Sequence, residues 1–124
     1  MKRFSPMTFK LVCFLLIFVI IFAVYWHNKI TNEENALKEL FARTLLADGA
    51  LTEMYSGELG NAFNTDPILF AETLAEEMPA NQKYIIALLV FDQGTVLSFR
   101  NIVNSLINEE KLSKEARDII VYIK

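Results

Sequence analysis

The sequence predicts an all-α protein, in which one N-terminal transmembrane helix is followed by a small bundle or stacked hairpins of about five to six short helices. One observation behind this fold class is a single uncharged apolar run near the N-terminus. A second is the recurrence of apolar residues at three- and four-residue steps in the rest of the chain. The third is a series of capping signals that divide this remainder into short helices.

The apolar run covers residues 11–26 and contains no charged residue, amide or glycine. Extended to residues 7–26, it would form a helix about 30 Å long, which matches the hydrocarbon thickness of a bilayer. Lys10 fits within this span because its aliphatic stem can lie along the helix while its ammonium reaches the headgroups. Tyr25 and Trp26 suit the opposite interface. The residues expected to anchor the chain in the membrane are Lys10, Leu11, Phe14, Phe18, Phe22, Tyr25 and Trp26.

A cleaved secretory signal peptide is the alternative for this segment, because such peptides also have a basic start and an apolar core. Signal peptidase requires small residues before the cut, whereas residues 23–27 are Ala, Val, Tyr, Trp and His. We therefore predict an uncleaved anchor whose partner is membrane lipid, and cleavage remains the open alternative.

The charges that flank the span predict its orientation in the cell membrane. Lys2, Arg3 and Lys10 come before its apolar run without an acid among them, while basic and acidic residues are mixed after it. Because basic flanks are retained in the cytoplasm, we expect a cytoplasmic N-terminus and an extracytoplasmic C-terminal domain. The alternative is a cytoplasm-facing domain tethered as a local adaptor. The predicted segments are a short basic cytoplasmic tail (1–6), a transmembrane helix (7–26), a juxtamembrane linker (27–31) and an acidic helical domain (32–124).

Composition argues against several functional classes. The chain contains twelve basic and fifteen acidic side chains, a formal charge of −3, so no nucleic-acid partner is expected. Residues 30–124 contain eight basic and all fifteen acidic side chains, a formal charge of −7. One cysteine, Cys13, and one histidine, His27, are too few for an intrachain disulfide or a Cys/His metal site. Since Cys13 lies in the span and His27 at its end, catalysis by a serine or cysteine nucleophile is not expected. We predict no metal and no cofactor.

Local signals place the first helices after the membrane segment. Thr31 and Glu34 match a capping box, which predicts that a helix restarts at about Asn32. Asp48 and Gly49 form either a break or a tolerated interior position, and we favour two helices, the second weakened by glycine. Its glycines, Gly57 and Gly60, are too few and isolated for a phosphate-binding loop and predict a flexible or closely packed turn.

The third helix has the clearest start, because Asp66 can cap its first amides and Pro67 suits its first position. We expect it to end at Met78, stopped by Pro79, and Asn81 to cap a fourth helix. The buried stripe expected on the third helix consists of Phe70, Leu74 and Met78.

Residues 84–97 are ambiguous, since an apolar run, a polar Asp-Gln-Gly segment and a short second apolar run also fit a β-hairpin. We favour a buried helix, because the neighbouring segments are helical and an isolated hairpin is rarely stable. Ser98 and Ser113 are the expected caps of a fifth and a sixth helix, with residues 108–112 as the connecting loop.

Carboxylates are the remaining candidates for enzyme chemistry. Close pairs occur among Glu72, Glu76, Glu77, Glu109 and Glu110. At helical spacing Glu72 and Glu76 share a face, which we expect to be solvated. A membrane-tethered carboxylate-dependent hydrolase is therefore the alternative function, and it requires two facing acids in a cleft.

Protein contact is the favoured function, and we expect no enzyme activity. Residues 119–123 are apolar on all sides of the last helix, so this segment is either fully buried or docked on a partner. Most aromatic side chains are expected to pack in a shared core. The sequence thus favours a single-pass, membrane-anchored interaction module, an accessory, scaffold or regulatory subunit of an envelope assembly. The expected contacts with its protein partner are Ile119, Ile120, Tyr122 and Ile123.

Overall fold

A computed structural model describes residues 5–94 and 96–123. Over these residues the chain is helical and has no β-strand, which confirms the predicted all-α class. The helices are α1 (Pro6–Leu46), α2 (Gly49–Thr65), α3 (Pro67–Ala75), α4 (Pro79–Gln93), α5 (Leu97–Ile107) and α6 (Lys114–Ile123). The chain divides into two compact units between Glu33 and Glu34. We call the described residues from Glu34 onward the helical unit.

Helix α1 contains the apolar run and is long and apolar enough to span a membrane. The predicted restart at Asn32 is wrong, because α1 continues without a break through the predicted linker, residues 27–31. The hydroxyl of Thr31 donates a hydrogen bond to the carbonyl of His27, 2.9 Å away, instead of accepting from the amides of a new helix. The other domain boundaries stay a prediction.

Four phenylalanines from four helices pack together in the core of the helical unit. Phe70 of α3 makes edge-to-face contacts with Phe41 of α1 and Phe63 of α2, with ring centroids 5.2 and 5.4 Å apart. Phe63 also contacts Phe99 of α5, at 5.0 Å. Such pairs add about 0.5–1.5 kcal/mol each beyond the burial of the rings. Larger aliphatic residues buried with them are Leu37, Leu59, Leu74, Ile85, Ile86, Leu89, Val103, Leu106, Leu112, Ile119 and Ile120.

Three helix boundaries follow the sequence signals. Helix α2 begins at Gly49, so the break is confirmed. Asp66 accepts a hydrogen bond from the amide of Leu69 at 3.1 Å and caps α3. Ser113 accepts one from the amide of Ala116, also at 3.1 Å, and caps α6.

The predicted junction between α3 and α4 is wrong. Helix α3 ends at Ala75, so Met78 is not part of its buried stripe and is 67% exposed. Pro79 begins α4 instead of ending α3, since the first helical position has no use for the amide that proline lacks. Asn81 therefore lies inside α4 and does not cap it.

The ambiguous segment is helical up to Gln93, which confirms the helix over the β-hairpin. Val96, not Ser98, precedes α5, and Ser98 lies in the first turn of that helix. The turn predicted at the α2 glycines is wrong, because both lie inside α2. Close packing is found at Gly60, where an added Cβ would lie 2.8 Å from Nε2 of Gln93.

Candidate protein-contact groove

The first turn of α6 is held against α3 by Glu72. Oε1 of Glu72 accepts a hydrogen bond from the amide of Ser113 at 2.7 Å, and Oε2 accepts one from the Ser113 hydroxyl at 2.8 Å. The carboxylate therefore supports the cap of α6, where the positive end of the helix dipole favours a negative charge. The expectation that Glu72 lies on a solvated face is wrong, since it is half-buried and its role is structural.

The turn between α3 and α4 is held by Gln82. Its Nε2 donates to the carbonyl of Glu77 at 2.9 Å and to the carbonyl of Ala75 at 3.3 Å. The last carbonyls of a helix have no backbone amide of the same helix to accept from. The side-chain amide of Gln82 provides the missing donor at the carbonyl of Ala75, the last residue of α3. Gln82 and Glu72 together position α4 and α6 with respect to α3.

A groove with a volume of about 340 Å³ lies between α4 and α6, with Ala75 of α3 as part of its lining. We call it the α4–α6 groove. The lining residues of α4 are Pro79, Gln82, Lys83 and Ile86, and those of α6 are Glu115, Asp118, Ile119 and Tyr122. Each set follows the spacing i, i+3, i+4, i+7, so each forms one helix face over two turns.

The α4–α6 groove is lined by buried apolar side chains and by exposed charged ones. Ile86 and Ile119 are only 5% and 6% exposed, and they join the groove to the core. Lys83 on the α4 wall and Glu115 and Asp118 on the α6 wall are exposed. None of these three forms a salt bridge within residues 5–94 and 96–123. The α4 wall therefore carries a positive charge and the α6 wall two negative charges.

The four residues of α6 that were predicted to contact a partner differ in their burial. Ile119 and Ile120 are core residues and Ile123 is half-buried, whereas Tyr122 is 61% exposed. Helix α6 is therefore not fully buried, and its exposed side carries charged residues such as Glu115 and Asp118 as well as Tyr122. Ile119 and Tyr122 line the α4–α6 groove, while Ile120 and Ile123 are not part of its lining.

Sequence reasoning did not identify the polar lining of the groove. Gln82 and Lys83 are separated from Glu115 and Asp118 by more than a quarter of the chain, and their proximity depends on how α4 packs on α2 and α6 packs on α3. The available signal was the i, i+3, i+4, i+7 spacing within each helix, which also occurs on faces that have no site.

The predicted anchor residues are all exposed on α1. Phe22 and Trp26 stack with ring centroids 6.1 Å apart. Nζ of Lys29 lies 5.8 Å from the centroid of the Trp26 ring, which favours a cation–π contact. No part of the most apolar window of α1 is buried. This segment therefore presents its apolar surface outward over its whole length.

Two carboxylates of the predicted pairs bind groups on distant segments of the chain. Glu76 accepts from Nζ of Lys38 at 3.1 Å, and Glu72 is occupied by Ser113 as described. Glu115 and Asp118 do line one groove, but they belong to the same helix wall and do not face each other across it. In the part of the chain that the structure describes, no group of three His, Cys, Asp or Glu side chains could hold a metal ion.

Aromatic side chains divide between the core and the surface. Phe41, Phe63, Phe70 and Phe99 are buried, as expected for packing. Phe91 is 85% exposed, and Tyr84, seven residues earlier on α4, is also exposed.

Comparison of the chain with protein-family models, with curated proteins and with solved structures finds no match. The α4–α6 groove and the apolar face of α1 are therefore interpreted from their own chemistry.

Proposed function

We propose that the chain is a single-pass membrane protein whose helical unit binds another protein through the α4–α6 groove. In this role it would be an accessory, scaffold or regulatory subunit of an envelope assembly. The observation that carries the proposal is the outward-facing, uncharged surface of residues 11–26. Transfer of apolar surface out of water is favourable by roughly 25 cal/mol per Å², so this segment requires an apolar environment.

A bilayer suits the segment because a helix satisfies its own backbone hydrogen bonds, as the hydrocarbon region demands. The aromatic and cationic contacts of Trp26 and Lys29 suit the interface at its C-terminal end. The basic residues before the apolar run support a cytoplasmic N-terminus and an extracytoplasmic helical unit.

The α4–α6 groove supports protein contact as the role of the helical unit. Its two walls are helix faces, and its lining joins buried apolar residues to exposed charged ones. Protein interfaces combine a desolvated apolar centre with a polar rim in the same way.

Topology is tested with a reporter enzyme that is active only outside the cytoplasm, fused after Lys124. The fusion is expected to be active in the full chain and inactive when residues 1–26 are deleted. An epitope tag placed before Met1 distinguishes an anchor from a cleaved signal. The tag should stay on the mature product and resist alkaline extraction with the membrane. A reporter that is inactive in the full chain, or a product without its tag, would overturn the membrane part of the proposal.

Protein contact is tested by photocrosslinking in native membranes. The photoreactive residue p-benzoylphenylalanine replaces Tyr122 of the full chain, or Val121 as a matched control. Both side chains are exposed, but Val121 does not line the groove. We expect a defined protein adduct from position 122 and a much weaker one from position 121. If position 122 gives no adduct, or none stronger than position 121, the proposed role of the groove is wrong.

A further inference from the structure

The occupant of the α4–α6 groove can be specified by its chemistry, and this step rests on the proposed function. We infer that the groove takes a cationic amphipathic helix from a partner protein, with its apolar side against Tyr122 and the groove floor at Ile86 and Ile119. Its basic side would lie against Glu115 and Asp118.

The spacing of the lining residues favours a helix. Its walls are two helix faces that each extend over two turns, about 10 Å along the axis. An amphipathic helix presents apolar side chains at i, i+3, i+4 and i+7, which is the same repeat as the two walls. This arrangement corresponds to helix-in-groove recognition, in which a few apolar anchors enter the groove and polar residues stay at its rim.

The charges of the groove set the polarity of the occupant. Glu115 and Asp118 are three residues apart on α6, so their carboxylates lie next to each other along one edge. Neither has an ion-pair partner among the described residues, so a Lys or Arg of the occupant can pair with them without breaking an existing salt bridge. Lys83 on the opposite wall favours an acidic or neutral residue on the other edge of the occupant, which gives the helix a preferred orientation.

Net charge separates this occupant from the alternatives. Residues 30–124 carry a formal charge of −7, so a second copy of the chain meets long-range repulsion. An anionic lipid surface is disfavoured for the same reason. A cationic segment is attracted to the unit at long range as well as at the groove.

The test uses the full chain in native membranes with p-benzoylphenylalanine at position 122. Into this background we introduce E115K with D118K, which reverses the charge of the α6 wall. The matched control, E53K with E58K, makes the same change of net charge at two exposed positions of α2 outside the groove. We expect the adduct to fall by about tenfold or more with the groove variant, equivalent to about 1.4 kcal/mol, and by less than about twofold with the control.

A second variant, E115Q with D118N, distinguishes loss of charge from loss of the fold, because it removes both charges and keeps the size of both side chains. It should weaken the adduct in the same direction and lower the thermal unfolding midpoint by at most about 5 °C, because Glu115 lies in the first turn of α6, where its charge interacts favourably with the helix dipole. Mass spectrometry of the adduct should map the crosslink to a segment with Lys or Arg on one side and apolar residues at helical spacing.

The outcomes distinguish this inference from the proposed function. Absence of any adduct from position 122 would overturn both. An adduct that survives E115K with D118K, or that maps to an acidic segment or to a second copy of this chain, would overturn the cationic helix and leave protein contact at the groove intact.

Discussion

At the scale of single residues, Glu72 contributes to the fold through a partner 41 positions away. Its carboxylate binds both the amide and the hydroxyl of Ser113, and that hydroxyl caps α6 in turn. The side chain therefore connects two helices and the cap of one of them, which a solvated acid would not do.

Glu72→Ala is expected to lower the free energy of unfolding by about 1.5–3 kcal/mol, because two half-buried donors lose a charged acceptor. Glu72→Gln should cost less, since its amide oxygen can still accept one hydrogen bond. Urea unfolding of the full chain in detergent, followed by circular dichroism, measures both changes. The exposed Glu110 supplies the control Glu110→Ala, which should change the free energy by less than about 0.5 kcal/mol. Equal effects at the two positions would show that the contact with Ser113 does not stabilise the protein.

Lys38 gives a pH-dependent contribution to stability. Its ammonium lies 3.0 Å from Oε1 of Glu34 and 3.1 Å from Oε2 of Glu76. The hydrogen bonds to Glu34 and then Glu76 raise the pKa of Lys38 above its ordinary value of 10.5. A raised pKa means that the folded state holds the proton more tightly. The contribution is therefore complete from neutral pH up to pH 10.5 and is lost as the pH rises through the raised pKa.

The measurement compares the wild type with Lys38→Met at a series of pH values. The difference in their unfolding free energies should be constant from neutral pH up to pH 10.5 and shrink above it. Added salt should reduce it, because Lys38 and its two carboxylate partners are solvent-accessible. The control Lys111→Met replaces an exposed lysine that forms no salt bridge within the described ranges. A difference that stays constant up to the highest pH would contradict the assignment.

Residue roles could be predicted from sequence where the partner is local. The caps Asp66 and Ser113 bind amides three positions ahead, a spacing that is visible in the chain. Glu72 and Gln82 could not be assigned in this way. Glu72 binds Ser113 across tertiary structure, and Gln82 binds carbonyls that are free only because α3 ends at Ala75.

At the scale of elements, α2 offers two glycines with different surroundings. An added Cβ at Gly57 has no atom within 4 Å, whereas at Gly60 it would lie 2.8–2.9 Å from side-chain atoms of Gln93. Gly57→Ala should therefore raise the unfolding free energy by about 0.5–1 kcal/mol through helix propensity alone. Gly60→Ala should gain less or become destabilising, because Gln93 must move.

Adding Gln93→Ala to Gly60→Ala removes the crowding side chain and should restore most of the gain. A double-mutant cycle from chemical unfolding of the four proteins measures this coupling. If Gly60→Ala stabilises as much as Gly57→Ala without any change at Gln93, then the close packing of α2 against α4 is not a constraint on sequence.

Apolar periodicity was sufficient to predict the helical class, and it favoured a helix over a hairpin in the α4 segment. It did not predict the helix boundaries at which a residue is compatible with two different structural roles. Pro79 can follow the end of a helix or begin one, and here it begins α4 because Met78 is extended. Thr31 can cap a new helix or bind back to an existing one, and here it donates to His27 within α1.

At the scale of the whole molecule, the helical unit includes the last turns of α1. Leu37, Phe41 and Thr44 are buried, and Phe41 contacts Phe70. This boundary is not visible in the sequence, because residues 27–46 continue the same helix as the apolar run. The α4–α6 groove is likewise a product of tertiary packing. Ile119 and Tyr122 line it, their contact with a partner stays a prediction, and the charged lining residues were not identified from the sequence.

These contacts predict which fragment folds. Residues 34–124, expressed without the apolar run, are expected to be soluble, helical and monomeric, and to unfold in one cooperative transition. A fragment of residues 49–124 begins at α2 and lacks Leu37 and Phe41. Replacing a buried phenylalanine by alanine costs about 3–5 kcal/mol, and a buried leucine about 2–5 kcal/mol. Because whole domains have only about 5–15 kcal/mol of stability, the shorter fragment should be largely unfolded.

Circular dichroism and urea unfolding of the two fragments measure this difference, and Phe41→Ala in residues 34–124 supplies the intermediate case. That variant should keep the helical spectrum while losing about 3–5 kcal/mol, because one ring of the phenylalanine cluster is removed and the backbone of α1 remains. If residues 49–124 unfold at the same urea concentration as residues 34–124, then the end of α1 is not part of the cooperative core. In that case the unit that folds independently begins at α2, and the buried face of α1 contributes packing without stability.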